Sequence, residues 1–179
     1  GIHLHPDRLV LRELRLPLVR PFRISSGEVS ERRILLLELA DRRGATGWSE
    51  CVAQERPNYG PETLDTAWWA IREWLAPRLL GRSFEGPGEV APALDRGVRE
   101  HRMAKAGVEM ACWELAARID GRPLADLLGG VRDRVETGIS VGIQDDPAAL
   151  AERVRAARDE GYARIKVKVE PGADREFLA

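Results

Sequence analysis

Two lysines stand one residue apart near the end of this chain, in RIKVKVEPG, residues 164–172. In an extended strand Ile165, Val167 and Val169 share one face, and Arg164, Lys166, Lys168 and Glu170 share the other. On a wet edge such lysines merely solvate the strand. In a parallel sheet covered on both faces they carry two ammonium groups into an interior, which is costly unless they are paired or neutralised. Burial and mutual repulsion each disfavour the charged form, and a lysine held neutral near pH 7 is a general base. Only three of the 28 Lys and Arg residues are lysines, Lys105 being the third. An ammonium can give up its proton where a guanidinium cannot, although genomic base composition explains such a bias equally well.

The elements that must position this pair form a βαβ unit. VETGISVGI (135–143) is a β-branched run, and DDPAALAERVRAARDEGY follows it. Asp146 is the expected N-cap and Pro147 the first helical residue, with Leu150, Val154 and Ala157 on one face and Gly161 closing the helix. Strand, helix and strand within about 35 residues make the two strands parallel, and REFLA begins a further helix. Two parallel strands close neither a sheet nor a barrel. The expectation is therefore that these 179 residues are the front part of a longer protein.

The first fifty residues read as antiparallel β, with strand-like runs at 8–18, 32–40 and 45–53 and a DRRG hairpin between the last two. The first connection holds Pro21, two serines and Gly27, and is expected to be a long loop rather than a tight turn. Helical spacing predicts a helix over 62–76, ended or bent by Pro77, and a longer one over 102–121 with Gly121 beyond its end. A short helix is expected within 123–130. Lys105 reads as a solvated helix residue, and His3 and His5 as part of a frayed terminus.

The composition is globular, 44% hydrophobic and 32% charged with a formal net charge of −1. Interleaved Arg and Glu argue against nucleic-acid or membrane-surface binding. No apolar stretch approaches the roughly 18 residues of a membrane span. Cys51 and Cys112 read as small hydrophobes in a reducing compartment, so the expected localisation is cytoplasmic. P-loop, dinucleotide, CxxC and G-x-S-x-G motifs are all missing from the sequence.

Taken in order, PLVRPFRISSG, GWSECVA, PNYGPET, HRMAKAGVEMACWELAAR, GISVGI and RIKVKVEPG resemble the muconate-lactonizing-enzyme subgroup of the enolase superfamily. Within it the sequence is most similar to the o-succinylbenzoate synthase and N-acylamino acid racemase family. The resemblance implies an α+β capping domain over residues 1–130, a three-stranded antiparallel sheet plus helices. Residues 131–179 would be the first βαβ of an incomplete (β/α)8-type barrel. It implies Lys168 as acid/base, Lys166 as its electrostatic partner, and abstraction of a proton α to a carboxylate of a small-molecule substrate. Ser140, Ser26 and Tyr59 are candidate substrate contacts, and Ser26 stands where racemase-like members often carry an aromatic residue.

The implied cofactor is Mg2+, but the family's three carboxylate ligands come from barrel strands that this sequence does not include. No acidic residue here is assigned as a metal ligand, and this chain alone is expected to be inactive. The family's habit of symmetric assembly implies a homo-oligomer. Alternatives are a dipeptide epimerase, a muconate-lactonizing-type enzyme, or a non-catalytic binding module that uses its unfinished sheet.

Overall fold

The computed structural model describes residues 1–25 and 27–178. The chain forms two compact units, one of residues 1–16 and 33–131, the other of residues 17–32 and 132–179.

The three-stranded sheet has the order β1 (Pro6–Ile24), β2 (Gly27–Asp41), β3 (Thr46–Cys51). β2 and β3 pair antiparallel, from Leu35 opposite Cys51 to Ala40 opposite Thr46. The alternation of β2 sends Leu35, Leu37 and Leu39 into the core of the first unit, where all three are buried. Helices cover that face: α1 (Leu64–Ala70), a π-helical turn over Ile71–Leu75, α2 (Ala76–Leu79), α3 (Val90–Asp95) and α4 (Arg102–Asp120). A short α5 (Leu124–Leu127) follows.

α4 lies unusually close to β3, and two glycines permit it. A Cβ on Gly47 would stand 2.5 Å from the Leu115 nitrogen and 2.6 Å from the Ala111 carbonyl oxygen. One on Gly107 would meet Cys51 Cβ at 3.2 Å. The approach is then fixed by polar groups. Ser49 Oγ donates to the Gly107 carbonyl at 2.6 Å, and the Trp48 N–H donates to Glu114 at 2.9 Å. At the start of α4 the Glu62 carboxylate accepts from the Met103 and Ala104 N–H groups, which the helix itself leaves unpaired. Gly121 ends the helix at φ +67°, as its type allows.

Three expectations need correction in this unit. Lys105 is not solvated: it is buried, its Nζ 2.6 Å from Asp95 Oδ1 and 2.5 Å from the Val98 carbonyl. The first residues are not frayed. Leu4 is fully buried and bridges Phe84, the His5 N–H donates to Asp41 at 2.7 Å, and the His5 ring lies 2.8 Å from Ser83 Oγ. Pro77 does not end the helix, which continues to Leu79. Ahead of the proline the π turn widens the coil, the Ala76 N–H reaching back to Ile71, and Arg78 Nη1 bonds the Trp74 carbonyl.

Charged groups tie the sheet of this unit together. Arg33 on β2 bonds Glu13 on β1 at 2.7 Å and Asp65 on α1 at 2.5 Å, and these hydrogen bonds hold both carboxyls below their usual range. Burial works to raise the pKa of Asp41, but bonds from the Arg43 side chain and from the Arg43 and His5 backbones outweigh it and lower it. Both cysteines are free and buried. No helix among the described residues is long and apolar enough to cross a membrane.

In the second unit β4 (Gly138–Val141) and β5 (Arg164–Val167) pair in parallel, and α6 (Pro147–Asp159) connects them. Asp146 caps α6 by accepting the Ala149 N–H at 2.8 Å, with Pro147 in the first turn, as its sequence predicts. Gly161 follows the helix at φ +95°, and α7 (Asp174–Leu178) begins after β5. The far end of the β1–β2 hairpin, residues 17–32, belongs to this unit. Only residues 25 and 26 separate the two strands, so the expected long loop is a β arm. β1 is an edge strand, and Pro17 and Pro21 share one parity. An edge strand is where a sheet tolerates proline.

Candidate active site

The parallel register sets Ser140 beside Lys166 and Val141 beside Val167. Because side chains alternate, Gly138 and Ser140 on β4 share a face with Arg164 and Lys166 on β5. The opposite face carries Ile139, Val141, Ile165 and Val167, and Val141 is buried with Ile143, Leu150 and Ala157. Lys168 lies one residue past β5. Its N–H donates to the Val141 carbonyl at 3.0 Å, which extends the ladder and keeps its side chain on the Lys166 face.

The two lysines differ in surroundings. Lys166 and Ser140 are exposed, whereas Lys168 is half-buried. Among the described residues only the apolar face of β4 and β5 is covered, which leaves Lys166 on the open face. Past Ser140 the next β4-side position is Gly142. A Cβ there would meet the Arg23 carbonyl oxygen at 3.0 Å and Phe22 Cδ2 at 3.3 Å. The glycine admits the hairpin arm, and Phe22 brings its ring to the lysine: Lys168 Nζ stands 5.8 Å from the ring centroid.

Arg23 anchors the arm at this point. Its carbonyl accepts the Ile143 N–H at 2.9 Å, Nη1 donates to Asp145 at 3.0 Å, and Nη2 donates to the Gln144 carbonyl at 2.9 Å. Its Nε is buried without a partner. The Gln144 amide in turn donates to the Gly142 carbonyl at 2.8 Å.

The structure therefore brings Lys166, Lys168 and Ser140 onto one strand face. Tyr59 lies in the first unit and is 78% exposed, and Ser26 falls outside the described residues. Phe22 and Arg23 carry no role in the sequence reading. Their one local signal is the alternation of Leu18, Phe22 and Ile24, which favours a strand but does not say what it packs on. Among the described residues no group of three or more His, Cys, Asp or Glu side chains could hold a metal ion.

A hairpin-bearing α+β unit followed by a parallel βαβ with a KxK strand defines a class of proteins. Residues 8–129 match the N-terminal domain of the mandelate racemase / muconate lactonizing enzyme family, and the chain belongs to that family. It is 38% identical over 172 residues to an o-succinylbenzoate synthase of Bacillus subtilis, covering 96% of this chain and 46% of that protein. To an N-succinylamino acid racemase of Amycolatopsis it is 43% identical over 166 residues, covering 93% and 45%. The crystal structure of an enolase-superfamily member from Listeria innocua superposes with a TM-score of 0.91 at 33% identity, covering 97% of this chain and 47% of that one. A mandelate racemase/muconate-lactonizing-type protein from Roseovarius nubinhibens, solved in complex with magnesium, superposes at 0.83 with 27% identity, covering 96% and 46%. The chain thus spans about half the length of the curated relatives it matches.

Proposed function

We propose that this chain supplies the proton-transfer lysine of an enolase-superfamily enzyme acting on a small carboxylate, as an o-succinylbenzoate synthase, an N-succinylamino acid racemase, or both. The observation that carries the reading is Lys168: a half-buried lysine at the carboxyl end of a parallel strand, with Lys166 and Ser140 on its own strand face. Catalytic side chains of (β/α)8 barrels occupy that end. The activities of those relatives, a synthase and a racemase, both suit a base that works next to a carboxylate.

The substrate's α C–H bond breaks and leaves its electron pair on carbon, while a new N–H bond forms on Lys168 Nζ. When the carbanion pair forms a C=C bond, a β-hydroxyl leaves with its bonding pair and takes the proton from the Lys168 ammonium, which gives water and completes a dehydration. Reprotonation from the other face gives racemisation. Lys166 stands two residues away on the same strand face, the second cation beside the reacting amine. Among the described residues no group of three or more His, Cys, Asp or Glu could hold the divalent ion that the resemblance implies, so no residue of this chain is assigned to it. On this reading the 179 residues alone turn over no substrate.

The test uses the full protein that carries this chain. Lys168→Ala should abolish exchange of the substrate α-proton with solvent deuterium. Exchange retained in that variant would refute the assignment. Turnover of an N-succinyl amino acid against a dipeptide separates the racemase from an epimerase.

A further inference from the structure

We infer that Phe22 is a positioning residue for Lys168, its ring face stabilising the positive charge that develops on Nζ as the base takes its proton. The inference rests on the role proposed for Lys168. The arrangement is built rather than incidental. The Arg23 carbonyl is tied to the Ile143 N–H, and the Arg23 guanidinium to Asp145 and the Gln144 carbonyl. Gly142 has no Cβ where one would press on Phe22 Cδ2 at 3.3 Å. These constraints on both sides of the ring hold it with the ammonium 5.8 Å from its centroid, within the range of a cation–π attraction.

The chemistry gives that attraction a direction. A resting base is a neutral amine, and the aromatic quadrupole does little for it. Once the α C–H bond has broken and the new N–H bond has formed, the nitrogen bears a full positive charge, and the negative face of the ring attracts it. An interaction stronger after transfer than before it accelerates the step and leaves substrate binding nearly unchanged. Phe22 thus acts through Lys168 and forms no bond in the reaction.

Ring fluorination tests this in the full protein, since it weakens the quadrupole with little change of shape. Phe22 would be replaced by mono-, di- and trifluorophenylalanine, and separately by Leu. Exchange of the α-proton of an N-succinyl amino acid would be followed on the pH plateau of the rate. The expected result is a stepwise fall in kcat with fluorination, reaching roughly twofold to fivefold for Phe22→Leu, with KM within about twofold of the parent. A kcat indifferent to fluorination, in a protein whose Lys168→Ala variant is inactive, would overturn the role of Phe22 and leave that of Lys168 standing. Exchange that survives Lys168→Ala would overturn both. An NMR readout is independent of turnover. The Lys168 ε-methylene protons should show an upfield ring-current shift that Phe22→Leu removes, and no difference between parent and variant would also overturn the proposal.

Discussion

Lys105→Met removes a charge from inside the first unit while keeping the length of the side chain. Lys105 is only 7% exposed, and its ammonium serves two acceptors, the Asp95 carboxylate at 2.6 Å and the Val98 carbonyl at 2.5 Å. The acceptors fare differently once it is gone. The Asp95 side chain is 52% exposed and can rehydrate. Val98 is nearly buried, so its carbonyl loses its partner in a dry setting, at a cost of about 1–3 kcal/mol. The thioether adds some apolar burial in return, which leaves a net destabilisation of about 2 kcal/mol. Urea unfolding of this chain followed by tryptophan fluorescence reads it directly, because all five tryptophans lie in the first unit. At a slope of roughly 2 kcal/mol per molar urea the midpoint should fall by about 1 M. The pH dependence carries a sign. The Lys105 hydrogen bond holds Asp95 below its ordinary carboxylate value, so the pair's contribution is complete above the unfolded value near 3.8. It is lost as the pH falls through the lower folded value. The gap between parent and variant should be constant from pH 6 to 8 and narrow below about pH 4. Equal midpoints at neutral pH would refute the reasoning, and so would a gap that persists unchanged in acid.

Gly47→Ala should cost about 3 kcal/mol, measured as a urea midpoint, because its Cβ would strike backbone atoms of α4 that no rotamer change can move aside. Gly60→Ala, with nothing within 4 Å of the added carbon, should stay within about 0.5 kcal/mol of the parent. Both cysteines should resist a thiol reagent at pH 8 until the chain unfolds. Burial raises the Cys51 thiol and pushes that of Cys112 up to about 12, so almost no thiolate is present to react.

Where local patterns decide the structure, the sequence reads well. The caps of α6 and the glycine end of α4 follow from residues within one turn, and parallel pairing of β4 with β5 follows from the helix between them. Lys105 shows what a composition-based reading loses. It falls in register with Val108, Cys112 and Leu115, three, seven and ten residues on, so the helical period placed it on the buried stripe and only its charge argued otherwise. Its partner Asp95 sits on α3, across a turn that periodicity does not describe. Gly47 carries a signal of its own: a glycine inside a strand pattern marks a close backbone approach. The hairpin arm was harder. Pro21, two serines and Gly27 read as a loop unless the strand is known to be an edge, and edge position belongs to the sheet as a whole.

The same limit explains why the KxK pair could not be resolved from its own spacing. Both lysines occupy one strand face, and within RIKVKVEPG only the place of Lys168 nearer the strand's carboxyl end separates them. Their difference comes from the neighbouring strand, one register position apart. Lys166 stands beside Ser140, where the face is open. Continuing the register, Lys168 stands beside Gly142, the position whose missing Cβ lets Phe22 and Arg23 in. A larger residue at 142 would push the arm away, remove the ring from Lys168 and leave both lysines equally wet. Gly142→Val should therefore impair α-proton exchange in the full protein while leaving β4 and β5 paired, since the substitution falls beyond Val141, the last residue of β4. Normal exchange in that variant would mean that the arm's seat on Gly142 has no part in setting the two lysines apart.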